Sequence, residues 1–274
     1  SGIMRGREFL MKDMYDFSRN EEEHNEFYAR MRAAYIRVFD RVGLGHCTYP
    51  TFASGGIFSE FSEEFQTVSE AGEDIIYVDE ASGIALNREV YTDAVIEKLG
   101  LKKDALVEKK SIEVGNIFHL GTKFSEPLDL FYTNEKEEKV PVWMGCYGIG
   151  PTRLMGTLVE VLSDEKGIVW PKNVAPYQVH LILLNQQDPE VRDWAEGIYA
   201  SLKKGGAEVL FDDRDVTTGH KFADSDLMGI PERVVVSKRG KEEGTFEVVA
   251  RATGETVHMN EEELYQTFCS NDVE

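Results

Sequence analysis

Three short stretches of this 274-residue chain set cations, carboxylates, an aromatic ring and glycines at spacings that chemistry can use. The first is Arg5-Gly6-Arg7-Glu8-Phe9-Leu10-Met11-Lys12-Asp13, in which Arg5, Phe9 and Asp13 recur every four residues. On an extended strand such positions share a face, so the three are expected to line one pocket. A guanidinium, an aromatic face and a carboxylate can hold a polyphosphate, stack adenine and support a metal or a neighbouring base. Taken alone, a surface strand with one core phenylalanine explains the stretch as well.

The second stretch runs Glu113-Val114-Gly115-Asn116-Ile117-Phe118-His119-Leu120-Gly121-Thr122. Glycines inside a strand-like run mark either close backbone approach to a ligand or a bulge. The third is Met144-Gly145-Cys146-Tyr147-Gly148-Ile149-Gly150-Pro151-Thr152-Arg153, a strand entering a Gly-rich turn and then a helix. Backbone N–H groups at a helix start favour anions, and Arg153 in the first turn can clamp a phosphate. No Gly-Lys-Ser/Thr follows, so this is not a Walker A loop, nor does it fit G-x-G-x-x-G. A generic tight turn is the competing reading.

The elements that must position these groups follow from periodicity. Ser18 with Glu21 reads as a capping box, and Phe27, Met31, Tyr35, Val38 and Val42 then recur at helical spacing until Gly43 and Gly45. Residues 65–92 read as strands and turns, and 93–110 as a short helix and a charged linker. Strands are expected at Ser111–Leu120, Leu128–Thr133 and Val140–Tyr147, and a helix from Pro151 to Ser163. Trp170-Pro171-Lys172-Asn173 reads as a domain boundary. Beyond it strands at Val179–Leu184, Ala207–Phe211 and Arg233–Ser237 alternate with helices at 189–204 and 219–228, a βαβ rhythm. Phe246–Arg251 and Glu255–His258 form a hairpin, and 260–269 a closing helix.

Composition bounds the rest. Hydrophobic residues make up 42% and charged residues 29%, so a packed core is expected rather than disorder. No apolar run approaches the roughly 18–20 residues that span a bilayer, so no membrane partner is expected and the cytoplasm is the default compartment. Three separated cysteines, Cys47, Cys146 and Cys269, encode neither a disulfide framework nor a zinc site. The net charge of −20 opposes a polyanionic partner at long range. Residues from 174 onward carry 10 basic against 20 acidic side chains, so any RNA contact must be a local basic patch.

In combination and in this order the stretches are more specific. Arg-x-x-x-Phe-x-x-x-Asp resembles the second half of class II synthetase motif 2, and Gly148-Ile149-Gly150-Pro151-Thr152-Arg153 resembles motif 3. The words from Arg7 to Phe17, Glu113 to Thr122 and Met144 to Gly150 are similar to those of bacterial-type prolyl-tRNA synthetases. Asp212-Asp213-Arg214, Gly219-His220-Lys221-Phe222-Ala223-Asp224 and Gly229-Ile230-Pro231 continue the likeness into that family's anticodon domain, so it covers essentially the whole chain.

The resemblance implies an α+β fold, with a partial class II catalytic core of antiparallel sheet and helices over 1–173. An α/β anticodon-binding domain with a mixed, mostly parallel sheet follows over 174–274. The implied activity is formation of prolyl-adenylate from L-proline and ATP with Mg²⁺, then transfer to tRNA(Pro) by a homodimer. Phe9 would stack on adenine, Arg5 would lie near the outer phosphates, Arg7 would belong to the ATP-binding set, and Arg153 would bridge the ATP phosphates. Arg5 and Arg153 would be the catalytic pair. Glu113, Gly115, His119, Cys146 and Gly148 would border the prolyl pocket, with Cys146 as a wall and not a nucleophile. Arg214 and Lys221 would read the anticodon.

Departures from the family pattern set further expectations. Motif 1 and the strand bearing the first motif 2 arginine are not in the sequence, so the chain reads as a fragment that should not activate proline alone. Its parent gene is expected to encode Phe-Arg-x-Glu shortly before Ser1. A short linker at about 79–110 stands where many relatives carry an editing domain, so editing is expected to be missing. Ser62-Glu63-Glu64-Phe65 stands where Ser-His-Glu-Phe is expected, which leaves Glu63 without an assigned role. Two rivals remain: a non-catalytic tRNA-binding accessory protein, and a class II synthetase for another amino acid. The persistence of Arg5, Phe9 and Arg153 favours an enzyme parent.

Overall fold

A computed structural model describes residues 2–56 and 61–269. Ser1 and residues 270–274, the end of the expected second domain, lie outside the described residues. The chain divides into two compact units, one ending at Val161 and the other beginning at Leu162.

The first unit opens with a 3₁₀ turn at Gly2–Arg5 and then strand β1 (Lys12–Ser18). Arg5 and Phe9 therefore do not share a strand with Asp13, contrary to the four-residue spacing; only Asp13 lies on β1. Helix α1 (Glu21–Arg41) follows. Its cap is Asn20, whose side chain accepts from the Glu23 N–H, while Ser18 Oγ donates to Asp16. The Ser18–Glu21 box is thus displaced by two residues, because Ser18 is still in the strand. Such a cap contributes about 1 kcal/mol. Tyr28, Tyr35 and Phe39 recur along one face of α1 and pack against Phe65, Ile112, Val114, Ile117 and Tyr147.

Strands β2 (Thr48–Ser54), β3 (Phe61–Val68), β4 (Asp74–Asp79) and β5 (Ile84–Asn87) precede the short helix α2 (Asp93–Lys98). The long strand β6 (Leu106–Gly121) is followed by the small pair β7 (Phe131–Thr133) and β8 (Lys139–Pro141), then β9 (Trp143–Ile149) and helix α3 (Pro151–Val161). The main sheet runs β1-β9-β6-β3-β2-β5-β4, and β4 also pairs with β6. Strands β6, β3, β2, β5 and β4 thereby close a ring. The expected linker at about 79–110 is built into this ring: Leu106–Lys110 pair with Ile75–Asp79, and Leu86, Val90 and Ile96 form a buried cluster of their own. Its charged residues Glu108 and Lys109 alternate along a strand rather than filling a loop.

The second unit begins with the β10 (Ser163–Asp164) and β11 (Gly167–Ile168) pair. Arg251 holds Asp164 through two hydrogen bonds of 2.7 Å, and Trp170 Nε1 donates to Met228 O. Residues 162–170 therefore belong with this unit, although the sequence boundary was set at 173. Strand β12 (Val179–Leu183), helix α4 (Pro189–Lys204), strand β13 (Val209–Asp212), helix α5 (Thr218–Met228) and strand β14 (Glu232–Val236) form the βαβ units. Helix α6 (Lys238–Glu243), strands β15 (Phe246–Ala250) and β16 (Thr256–Met259) and helix α7 (Glu261–Phe268) complete it. The order is β13-β12-β14-β15-β16, with two parallel pairings followed by two antiparallel ones. Val191, Ala195, Ile198 and Leu202 of α4 pack on Val179, Leu181, Val234 and Phe246. Asp188 caps α4, and Pro189 stands where a helix start tolerates it.

Candidate active site and RNA-facing edge

In the first unit a cavity of about 240 Å³ is lined by Arg5, Phe9, Glu113, Gly115, Asn116, Gly148 and Arg153, with Met4 and Met11 among its apolar walls. Arg153 enters it from the first turn of α3. Its Nη1 donates to both the backbone oxygen and Oε2 of Glu113, each at 3.0 Å, and its Nε donates to Met4 O at 3.2 Å. Glu113 also accepts from Asn116 Nδ2 at 2.9 Å. The cavity therefore carries a guanidinium whose position is set by a carboxylate and two carbonyls.

Arg5 lies at the cavity edge, 3.3 Å from Glu73 and 3.9 Å from Asp74. Phe9 is half-exposed and lines the cavity. Arg7 is exposed and is not among the lining residues.

A bulge explains which of the expected pocket residues come together. The β3–β6 register shifts between Phe65 and Gln66, opposite Gly115 and Glu113, so Val114 is the extra residue. After it the faces of β6 exchange. Gly115 lines the cavity with backbone and turns its missing side chain to α1, where a Cβ would stand 3.2 Å from the Phe39 ring. His119 also faces α1: it stacks on Tyr28 at 3.7 Å, and its Nδ1 lies 2.8 Å from His24 Nε2. His119 is therefore corrected to the helix side of the sheet, away from the Arg153 cavity. Its neighbour Phe118 packs on the other face beside Cys146. Cys146 is half-buried, outside the cavity lining, and burial raises its thiol pKa, in keeping with a wall rather than a nucleophile.

Behind His119 lies a buried relay. Asp16 accepts from Tyr147 OH at 2.8 Å, Ser18 Oγ at 2.7 Å and His24 Nδ1 at 3.1 Å. Burial opposes the Asp16 charge, but hydrogen bonds from His24, Ser18 and Tyr147 outweigh it and hold the carboxyl below the usual range. Burial, with His24 beside it, pushes His119 down to about 4. On β3, Glu63 pairs with Arg32 of α1 at 2.5 Å, which gives that position a structural partner. Burial and the nearby Glu113 push Glu64 up to about 7.

Asn116, Lys12 and Phe118 were not anticipated. Lys12 donates to Tyr35 OH at 2.8 Å and Tyr147 O at 3.0 Å, pinning β1 to the centre of the sheet. The resemblance pointed to Glu113, Gly115 and His119; that Asn116 and Phe118 share the face opposite His119 could be read only once the bulge was known.

In the second unit Arg214 follows β13 and Lys221 lies in α5. Arg214 is half-exposed and holds Asp212 and Asp224, each at 2.8 Å through Nη2. Lys221 is fully buried, and its ammonium donates to Leu183 O at 2.7 Å and Asp212 O at 3.2 Å. The pairing of the two as anticodon readers is therefore corrected: Arg214 faces outward, whereas Lys221 ties together the ends of β12 and β13. Lys221 does this from the first turn of α5 because the strand ends leave carbonyls that need donors.

An arginine at a helix start facing a carboxylate across an antiparallel sheet, followed by a mixed α/β unit, defines a class II synthetase architecture. Residues 1–162 match the tRNA synthetase class II core domain (G, H, P, S and T), and the chain belongs to that family. Residues 178–271 match the anticodon binding domain. Among relatives, a proline–tRNA ligase of Hyphomonas neptunium is 39% identical over 96% of this chain and 65% of its own length. Proline–tRNA ligases of Parvibaculum lavamentivorans, at 38% over 95% of the chain, and Paracoccus denitrificans, at 36% over 96%, are similar. The chain spans 64–65% of the length of these relatives.

Proposed function

We propose that this chain is part of a proline–tRNA ligase, binding ATP for prolyl-adenylate formation and carrying the domain that contacts tRNA(Pro). The observation that carries the reading is Arg153 held by Glu113 in a cavity shared with Arg5 and Phe9. The nucleotide's phosphates would lie against Arg153 and Arg5, with adenine against the half-exposed ring of Phe9. Arg153 would then stabilise charge as pyrophosphate leaves, a contribution that positioned cations commonly make. L-proline would occupy the open sheet face near Phe118 and Cys146.

Mg²⁺ fits this site as an ion that arrives with the nucleotide. Among the described residues no group of three or more His, Cys, Asp or Glu is placed to hold a metal, but Mg²⁺ usually needs only one or two carboxylates beside the phosphates. Glu113 is the carboxylate in place, and the ion would supply neutralisation of phosphate charge. Homodimerisation and a cytoplasmic location accompany this reading; no helix among the described residues is long and apolar enough to cross a membrane.

The test is ATP binding to this chain by calorimetry, and exchange of pyrophosphate into ATP by the intact ligase of which it is part, with proline, threonine, glycine, histidine or serine. ATP binding with proline-dependent exchange is expected. Exchange driven by another of these amino acids would overturn the proline assignment, and lack of ATP binding would overturn the site.

A further inference from the structure

The second unit contains a cavity of about 320 Å³ between the edge strand β13, its neighbour β12 and helix α5. At its base lies His180, only 1% exposed, and no described group hydrogen-bonds either of its ring nitrogens. A buried polar group without a partner is costly, and a leucine at this position would carry no such penalty. The walls are apolar, from Leu210, Leu227 and Met228. At the mouth stand the Arg214 guanidinium, already oriented by Asp212 and Asp224, and the Asp224 carboxylate, which remains partly exposed.

We propose that this cavity binds a nucleobase, with His180 as the group that recognises its edge. A base presents two apolar faces and an edge of mixed donors and acceptors, and the cavity offers apolar walls over a ring that can give one donor and one acceptor. Burial lowers the His180 pKa to about 4, so the imidazole is neutral near pH 7 and keeps both capacities. Asp224 can accept from an exocyclic amine, and Arg214 can meet the phosphate attached to the base. The volume lies at the lower end of the roughly 300–1,000 Å³ common for ligand sites, suited to one base rather than a large ligand. The RNA contact proposed above enters only as one source of the base; a free nucleotide is the other.

The experiment is ¹⁵N spectroscopy of the histidine rings in the whole chain, whose 6 histidines are separable by comparison with His180→Phe. The probes are the four ribonucleoside 5′-monophosphates, each alone, and a tRNA transcript with the proline anticodon. The His180 signals should move saturably, and His180→Phe, which keeps a ring but removes both nitrogens, should weaken that binding roughly tenfold. Movement with the transcript alone identifies an RNA-borne base; movement with mononucleotides alone identifies a free one. Silent His180 signals with every probe overturn the proposal even if the variant fails to fold, and so does unchanged affinity in a folded variant. If Arg214→Ala weakens transcript binding while His180 stays silent, the RNA contact stands and the cavity proposal falls. If His180 responds to nucleotides while Arg214→Ala leaves transcript binding unchanged, the reverse holds.

Discussion

Arg153 Nη1 bonds the carbonyl and the carboxylate of one residue, Glu113, both at 3.0 Å. That fork joins the start of α3 to the bulge of β6, and it fixes the cation before any nucleotide arrives. Pre-positioned charge is effective because no reorganisation is needed as the reaction proceeds.

In the intact ligase, replacing Arg153 by alanine should therefore remove most of the proline-dependent pyrophosphate exchange. A single positioned charge contact to reacting groups is commonly worth about 3–4 kcal/mol, or a few hundredfold in rate. Activity within about twofold of the unmodified protein would refute the assignment of Arg153 to the phosphates. Glu113→Gln should act more mildly, since the amide retains an acceptor for the guanidinium.

Acid should destabilise the first unit through His119. Its folded pKa of about 4 lies below the ordinary 6.5, so between these values the unfolded chain binds more protons. The contribution is fully present above pH 6.5 and is lost as pH falls through 4. Glu64 works in the opposite sense: its folded pKa is about 7 against 4.5, so its contribution is present below 4.5 and lost as pH rises through 7. Urea midpoints measured from pH 4 to 8 should show His119→Gln flattening the acid side and Glu64→Gln flattening the neutral side. Parallel curves for both variants and the unmodified protein would contradict these assignments.

Two glycine-to-alanine changes should have opposite signs. A Cβ at Gly145 would stand 2.3 Å from Asp16 Oδ1, 2.6 Å from Tyr147 OH and 2.8 Å from His24 Cε1. All three neighbours are buried, and Asp16 is hydrogen-bonded to both of the others, so none can yield cheaply, and a loss of about 1–3 kcal/mol is expected. Gly197 sits within α4 with nothing inside 4 Å of its would-be Cβ, so alanine there should stabilise by about 1 kcal/mol. Denaturant titration of the two variants checks both signs.

Arg214 and Lys221 should separate on mutation. Arg214→Ala is expected to weaken binding of a tRNA with the proline anticodon while leaving proline activation intact. Lys221→Ala should chiefly unfold the second unit, because it leaves Leu183 O and Asp212 O without their buried donor. Stranding one side of a buried charged contact costs about 3–5 kcal/mol. Equal loss of both activities in Arg214→Ala, or a stable Lys221→Ala that fails only in RNA binding, would reverse these roles.

The division into two units, most helices of both, and the Arg153 turn were determined by the sequence itself. These depend on local signals: the apolar repeat of α1, the Asp188-Pro189 start of α4, and glycines before a helix. Strand β2, with Pro50 inside it, and helix α6, rich in charge, carried no such signal. The faces of β6 were not legible either. Period-2 counting fails at Val114 because a bulge is a response to the partner strand, and one inserted residue moves every later side chain across the sheet. The same holds for Lys221, which reads as surface charge in the sequence and becomes an internal donor only where two parallel strand ends present their carbonyls. Local patterning determines which elements form; the pairing of distant strands determines which side chains share a cavity.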